Sequence, residues 1–284
     1  MNLKSITRLV RGRETSDGAG VRLKRSIGTS DLDHLDPFLL LDEFKSEDSG
    51  DYISGFPDHP HRGFETVTYM LAGAMEHRDH VGNKGNLVAG SVQWMTAGKG
   101  IIHSEMPKQD AGLMWGFQLW INLPSNLKMS PPRYQDIPPE DAPEARSQGG
   151  ARVRVIAGES AGVCGPVTGI ATAPLYLDVR IPAHAKFIQP VLESHNSFCY
   201  VFEGDGFLGV TTDGTGSAVT SGNLAVLGDG DAIAATTGES PMRFLLLAAK
   251  PIGEPVARHG PFVMNTEEEL QTAVDDLRAG TFLD

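Results

Sequence analysis

The chain has 284 residues, 40% of them hydrophobic and 21% charged, enough apolar material for one large or two ordinary domains and too much for wholesale disorder. A formal charge of −12 leaves it without the electropositive face that a general phosphate-backbone binder needs, so direct nucleic-acid binding is not expected. The cysteines are only two, which excludes a disulfide-stapled fold, and no apolar run is long enough to span a bilayer.

The basic start, MNLKSITRLVRGRETSDG, lacks the apolar core of a signal peptide and is read as the first strand. Strand-like segments then recur between turn signals rich in Gly, Pro, Asp and Asn: Glu65–Leu71, Val92–Thr96, Met114–Leu123, Val153–Ala157, Leu175–Ile181, Phe198–Phe202, Leu224–Leu227 and Phe244–Ala248. This predicts an all-β fold of antiparallel sandwich or barrel type. One helix is predicted near the end. Thr266 caps it, Glu267, Glu268 and Glu269 complement the dipole, Leu270, Ala273, Val274 and Leu277 follow at helical spacing, and Gly280 closes it. Cys164 and Cys199 lie in apolar surroundings and are expected to be buried thiols.

A Pro-rich stretch, with Pro131, Pro132, Pro138, Pro139 and Pro143, loses ladder donors and is read as a linker. The expected division is therefore 1–130, a linker over 131–148, and 149–284. The two sides resemble each other weakly. YMLAG from Tyr69 aligns with YVFEG from Tyr200, and the Gly90…Gly98 unit aligns with Gly222…Gly230. A strand–turn–strand unit has been used twice.

The chemistry concentrates in two short strings, His59-Pro-His61 and His103-Ser-Glu105. In a strand, residues i and i+2 share a face, so two such strands side by side aim three imidazoles and a carboxylate at one point. An all-nitrogen-and-oxygen set suits Fe(II), Mn, Ni, Co, Cu or Zn, and an open coordination position would make it catalytic. Glu65 competes with Glu105 for the carboxylate role: if Glu65 binds, Glu105 becomes the outer base. Under the repeat, the four positions fall on Pro190, Leu192, Ala235 and Thr237, which bind no transition metal well, so the second half is expected to be metal-free. His34, His77, His80, His184, His195 and His259 are read as ordinary surface or core histidines. Phe56, Phe64, Met70, Trp94, Met95 and Phe117 are candidates for a dry wall beside the ligands, though plain core packing is the favoured explanation.

The strings FPDHPHRGFETVTY, QWMTAGKGIIHSEMP and EPVARHGPFVMNT, with GAGVRLKRSIGT and DPFLLLDEF before them, resemble the pirin family of bicupins from about Gly18 to Thr266. The resemblance implies two stacked antiparallel cupin barrels of jelly-roll type. It implies iron in the N-terminal barrel on His59, His61, His103 and Glu105, with a metal-free C-terminal barrel. The usual cupin spacing puts its glutamate at Thr66, which favours Glu105 over Glu65. It also implies a cytoplasmic quercetin 2,3-dioxygenase, an oxidoreductase whose partners are a flavonol-like aromatic molecule and O2, with Glu105 as catalytic base. The alternative it implies is a non-enzymatic, redox-sensitive iron protein that regulates a transcription factor or metabolic enzyme by contact. A monomer that binds no membrane is expected.

Overall fold

A computed structural model describes residues 1–210 and 214–284. Strands dominate, and the single α-helix among the described residues is Glu267–Ala279. Every segment expected to be a strand is one. The helix starts with the expected cap: Thr266 accepts from the Glu269 backbone N–H, Glu269 reaches back to Thr266, and Gly280 closes the end with a left-handed φ of 76°. Among the described residues no helix is long and apolar enough to cross a membrane.

The chain forms two compact units, and they do not follow the expected boundaries. One comprises 13–139 and 252–284; the other comprises 1–12 and 140–251. The reason lies in strand pairing. Ile6–Arg11 pairs with Asn223–Leu227, far away in sequence, whereas Arg13–Asp17 pairs with Val21–Ile27. The predicted first strand is thus two strands, one in each unit. The Pro-rich stretch is not a plain linker either. Arg133–Ile137 pairs with Val92–Thr96, and Glu144–Arg146 pairs with Arg152–Ala157.

The 13–139/252–284 unit has a seven-stranded antiparallel sheet in the order Arg133–Ile137, Val92–Thr96, Phe64–Ala72, Met114–Asn122, Phe38–Ser46, Val21–Ile27, Arg13–Asp17. A four-stranded sheet runs Phe56–His61, Ile101–Pro107, Ala74–Asp79, Lys84–Val88. The other unit repeats this plan. Its main path runs Ile6–Arg11, Asn223–Leu227, Asn196–Leu208, Met242–Ala249, Leu175–Ile181, Arg152–Ala157, Glu144–Arg146. Lys186–Pro190, Ala232–Thr236, the end of Asn196–Leu208 and Ser217–Thr220 stand in for the smaller sheet. Its interior is an apolar core around Phe187, Val201, Leu208, Ile233, Ala235 and Phe244.

Segment 252–284 is anchored around Gly63. A Cβ at Gly63, where φ is +88°, would collide with the Val263 carbonyl, so only glycine fits. Beside it the buried Lys128 ammonium donates to the Gly63 and Val263 carbonyls (2.8 and 2.9 Å) and to Asn122 (2.6 Å). Burial pushes that lysine down to about 8. Arg62, also buried, pairs with Asp276 of the helix at 2.6 Å and donates to the Phe282 carbonyl. The cysteines differ from expectation: Cys199 is buried, but Cys164 lies exposed on the short strand Val163–Cys164.

Candidate metal centre

Strands Phe56–His61 and Ile101–Pro107 run antiparallel, with His59 opposite His103 and His61 opposite Ile101. Alternation puts His61 on the same face as His59. The three rings meet there, with centroids 4.4 to 4.9 Å apart, and one nitrogen from each lies within 4.8 Å of the others. The register slips between His103 and Glu105, so Glu105 faces Phe56. Glu105 lies outside the group of three but is buried beside it and lines the same cleft.

Each ring has one nitrogen engaged and one to spare. His59 Nδ1 lies 2.8 Å from the Pro57 carbonyl and donates to it, which leaves Nε2 as a lone-pair donor. His61 Nδ1 and His103 Nε2 are buried with no hydrogen-bond partner, while His61 also contacts the Pro261 backbone. A buried, unpartnered imidazole nitrogen is costly, and a cation held by all three removes that cost. Burial, reinforced by neighbouring rings, holds His61 and His103 well below the ordinary histidine value, so both are neutral at pH 7, as ligands must be. The residues therefore fit a divalent transition metal.

His77, read from sequence as an ordinary surface or core histidine, is buried on strand Ala74–Asp79, opposite Glu105. Its Nδ1 lies 3.3 Å from His103 Nδ1, and its Nε2 lies 3.2 Å from the Tyr134 hydroxyl, which in turn bonds Asp79. If His103 Nε2 is the ligand atom, its Nδ1 carries the proton. The chain then runs one way: His103 to His77, His77 to Tyr134, Tyr134 to the Asp79 carboxylate. Such partners fix a ligand's tautomer and ring orientation. Tyr134 comes from the stretch expected to be a linker.

The Thr68 hydroxyl lies 2.8 Å from Glu105 Oε1 and 2.7 Å from the Gln118 side-chain oxygen. It has a single proton. Donating this to Glu105 requires the Gln118 amide to present its nitrogen instead. Glu65 takes a different place. It accepts from Thr96 at 2.6 Å, does not line the cleft, and is raised by burial.

His59 and His61, with Glu105, line a cleft of about 520 Å³, a size suited to a small molecule. Its apolar wall is Leu23, Leu40, Phe44, Phe56, Met75 and Trp120. Of the six residues named for this wall from sequence, only Phe56 lines it; Phe64, Met70, Trp94, Met95 and Phe117 are core. Trp120 was missed. It packs edge-on against His61 with centroids 5.3 Å apart.

The pirin family pattern matches residues 20–121, which contain all four predicted ligands, and the pirin C-terminal cupin domain matches 176–283. A pirin-like protein of Caulobacter vibrioides is 49% identical over 99% of this chain and 100% of its own. Human pirin is 45% identical over 97% of this chain and 92% of its own. The fold is similar to that of a quercetin 2,3-dioxygenase from Acinetobacter baumannii, with a TM-score of 0.88 and 33% identity over 99% of this chain and 98% of that one. The all-β cupin fold, the three-histidine group and these likenesses agree: the chain belongs to the pirin family.

Proposed function

We propose that this protein is an iron-dependent dioxygenase that opens quercetin-like flavonols with O2. The observation that carries the reading is the group of three imidazoles with spare nitrogens, two of them lining a largely apolar cleft of small-molecule size. The likeness to a quercetin 2,3-dioxygenase supports the choice of substrate.

His59 Nε2, His61 Nδ1 and His103 Nε2 would hold the metal, with Glu105 as fourth ligand. Fe(II) is the proposed ion; the donor set also accepts Mn, Ni, Co, Cu or Zn. A bound cation there supplies Lewis acidity toward a chelating hydroxyl and redox chemistry toward O2. The apolar wall holds the flat rings of the flavonol and keeps water from the reacting carbons. Glu105 accepts the proton of the flavonol 3-hydroxyl. Thr68, donating to one oxygen of that carboxylate, keeps it turned into the cleft.

The test is oxygen uptake by the Fe(II)-loaded full chain with quercetin. Substrate loss should match O2 consumed, and His59→Ala or His103→Ala should bring both to background. Turnover that survives chelation of the metal contradicts the reading. Absence of O2 uptake, with capture of a protein partner in one iron oxidation state only, would favour the regulatory alternative.

A further inference from the structure

The lining of the cleft includes positive charge as well as imidazoles. Two arginines reach it, Arg25 and Arg258. They are not equivalent. Arg25 is spent within the protein: its Nε and Nη2 bond both oxygens of Asp42 at 2.8 and 2.7 Å, and Nη2 also bonds Asp17 at 2.8 Å. Among the described residues Arg258 donates from Nη1 to the Leu39 carbonyl at 3.2 Å and forms no ion pair. Its guanidinium lies over the Trp120 indole, 4.8 Å from the ring centroid. Stacking fixes the plane of the guanidinium and leaves its edge donors available.

Trp120 links this charge to the metal end. His61 meets the indole in a T-shaped contact, and Arg258 lies over the indole ring. The imidazoles and the guanidinium are therefore one indole apart. A flat guest beside Trp120 can chelate at one end and meet Arg258 at the other. No cleft carboxylate pairs directly with Arg258 among the described residues: Asp17 and Asp42 are hydrogen-bonded to Arg25 and act on Arg258 only through space, as does Asp33, and Glu105 is bonded to Thr68. Gly260 and Pro261, the turn that follows the strand Ala257–His259 carrying Arg258, bring no side-chain charge.

We propose that Arg258 is a specificity-determining residue that selects planar aromatic guests carrying an anionic oxygen at the end away from the histidines. This rests on the reading that the cleft takes a planar aromatic substrate, and it narrows that class. A charge-assisted hydrogen bond in a partly dry site is worth about tenfold in affinity or more.

The experiment measures equilibrium binding to the zinc-loaded full chain by quenching of tryptophan fluorescence. One probe pair is 3-hydroxyflavone and the same flavonol with a 4′-carboxylate. A second pair is naphthalene-2-carboxylate and 2-naphthylmethanol. The wild type should prefer the carboxylate in each pair by about tenfold. Arg258→Gln and Arg258→Met should bring the ratio to about one, and Arg258→Lys should keep part of it. Zinc content and binding of the neutral flavonol show that each variant is folded. A ratio unchanged in Arg258→Gln, or a wild type that binds both flavonols equally, overturns the inference and leaves the flavonol reading standing. A charge preference seen only with the naphthalenes, lost in Arg258→Gln, with neither flavonol bound, supports the inference and overturns the flavonol reading.

Discussion

The two units are built on one plan and filled in opposite ways. Both have a seven-stranded path with the same succession of strands, and in both a smaller set of strands faces it. In one, strand Ile101–Pro107 brings His103 opposite His59. In the other, the counterpart strand Ala232–Thr236 brings Ala235 opposite Phe187. Both Phe187 and Ala235 are buried in the continuous apolar core. The position matching Glu105 is Thr237, whose hydroxyl is 2.6 Å from the Pro182 carbonyl and donates to it. One half keeps a cleft lined by imidazole nitrogens; the other closes the same place with a phenyl ring. A shared architecture therefore says little about chemistry, which is decided at two or three positions on facing strands.

That contrast can be broken from the filled side. Phe187→Ala leaves a cavity where the ring was, and should lower stability by about 3–5 kcal/mol in denaturant unfolding. Metal content per chain should not change. An unaltered midpoint would mean that the ring is not what fills the second half.

On the metal side, the contrast is sharpened by the residue that orients a ligand. His77→Ala removes the acceptor for His103 Nδ1–H, and should cost about 10- to 100-fold in metal affinity by competition with a chelator. Tyr134→Phe, one step further along, should cost less. Equal affinity in His77→Ala and wild type would remove His77 from any role at the site.

The smallest effect concerns the strand that carries His77. Glu76 is bonded by Lys108 and Lys84 at 2.8 Å each and by Arg78 at 2.6 Å, which hold its carboxyl down at about 2. Its folded value is below the unfolded one of 4.5. The stabilisation is therefore present above pH 4.5 and is lost as pH falls toward 2. Glu76→Gln should flatten the acid limb of stability in that window, modestly, since the partners are half exposed. A steeper acid limb in the variant would contradict the assignment.

Local signals were legible in the sequence. The strand cores, the Thr266 capping box and the shared face of His59 and His61 depend on neighbours within a few residues, and the structure has them where expected, whereas the register slip between His103 and Glu105 was not legible. The internal repeat was also visible, though at residue level it slips: the offset pairs Ala235 with Pro190, and the sheet pairs it with Phe187. Features set by distant pairing were not legible. Nothing near Ile6–Arg11 announces that it completes a sheet with Asn223–Leu227. His77 is adjacent to the centre only because its strand lies beside Ile101–Pro107, and Tyr134 only because its strand joins Val92–Thr96. Trp120 and Arg258 reach the cleft from strands remote in sequence, so the true wall could not be read from residues near the histidines.

The central claim is that His59, His61 and His103 hold one cation, in one half of the molecule. Anaerobic titration of the metal-free full chain with Fe(II) tests it directly. The account predicts one equivalent bound per chain at neutral pH, and none at that affinity in His61→Ala or His103→Ala. Two equivalents, or undiminished binding after loss of either imidazole, would contradict it.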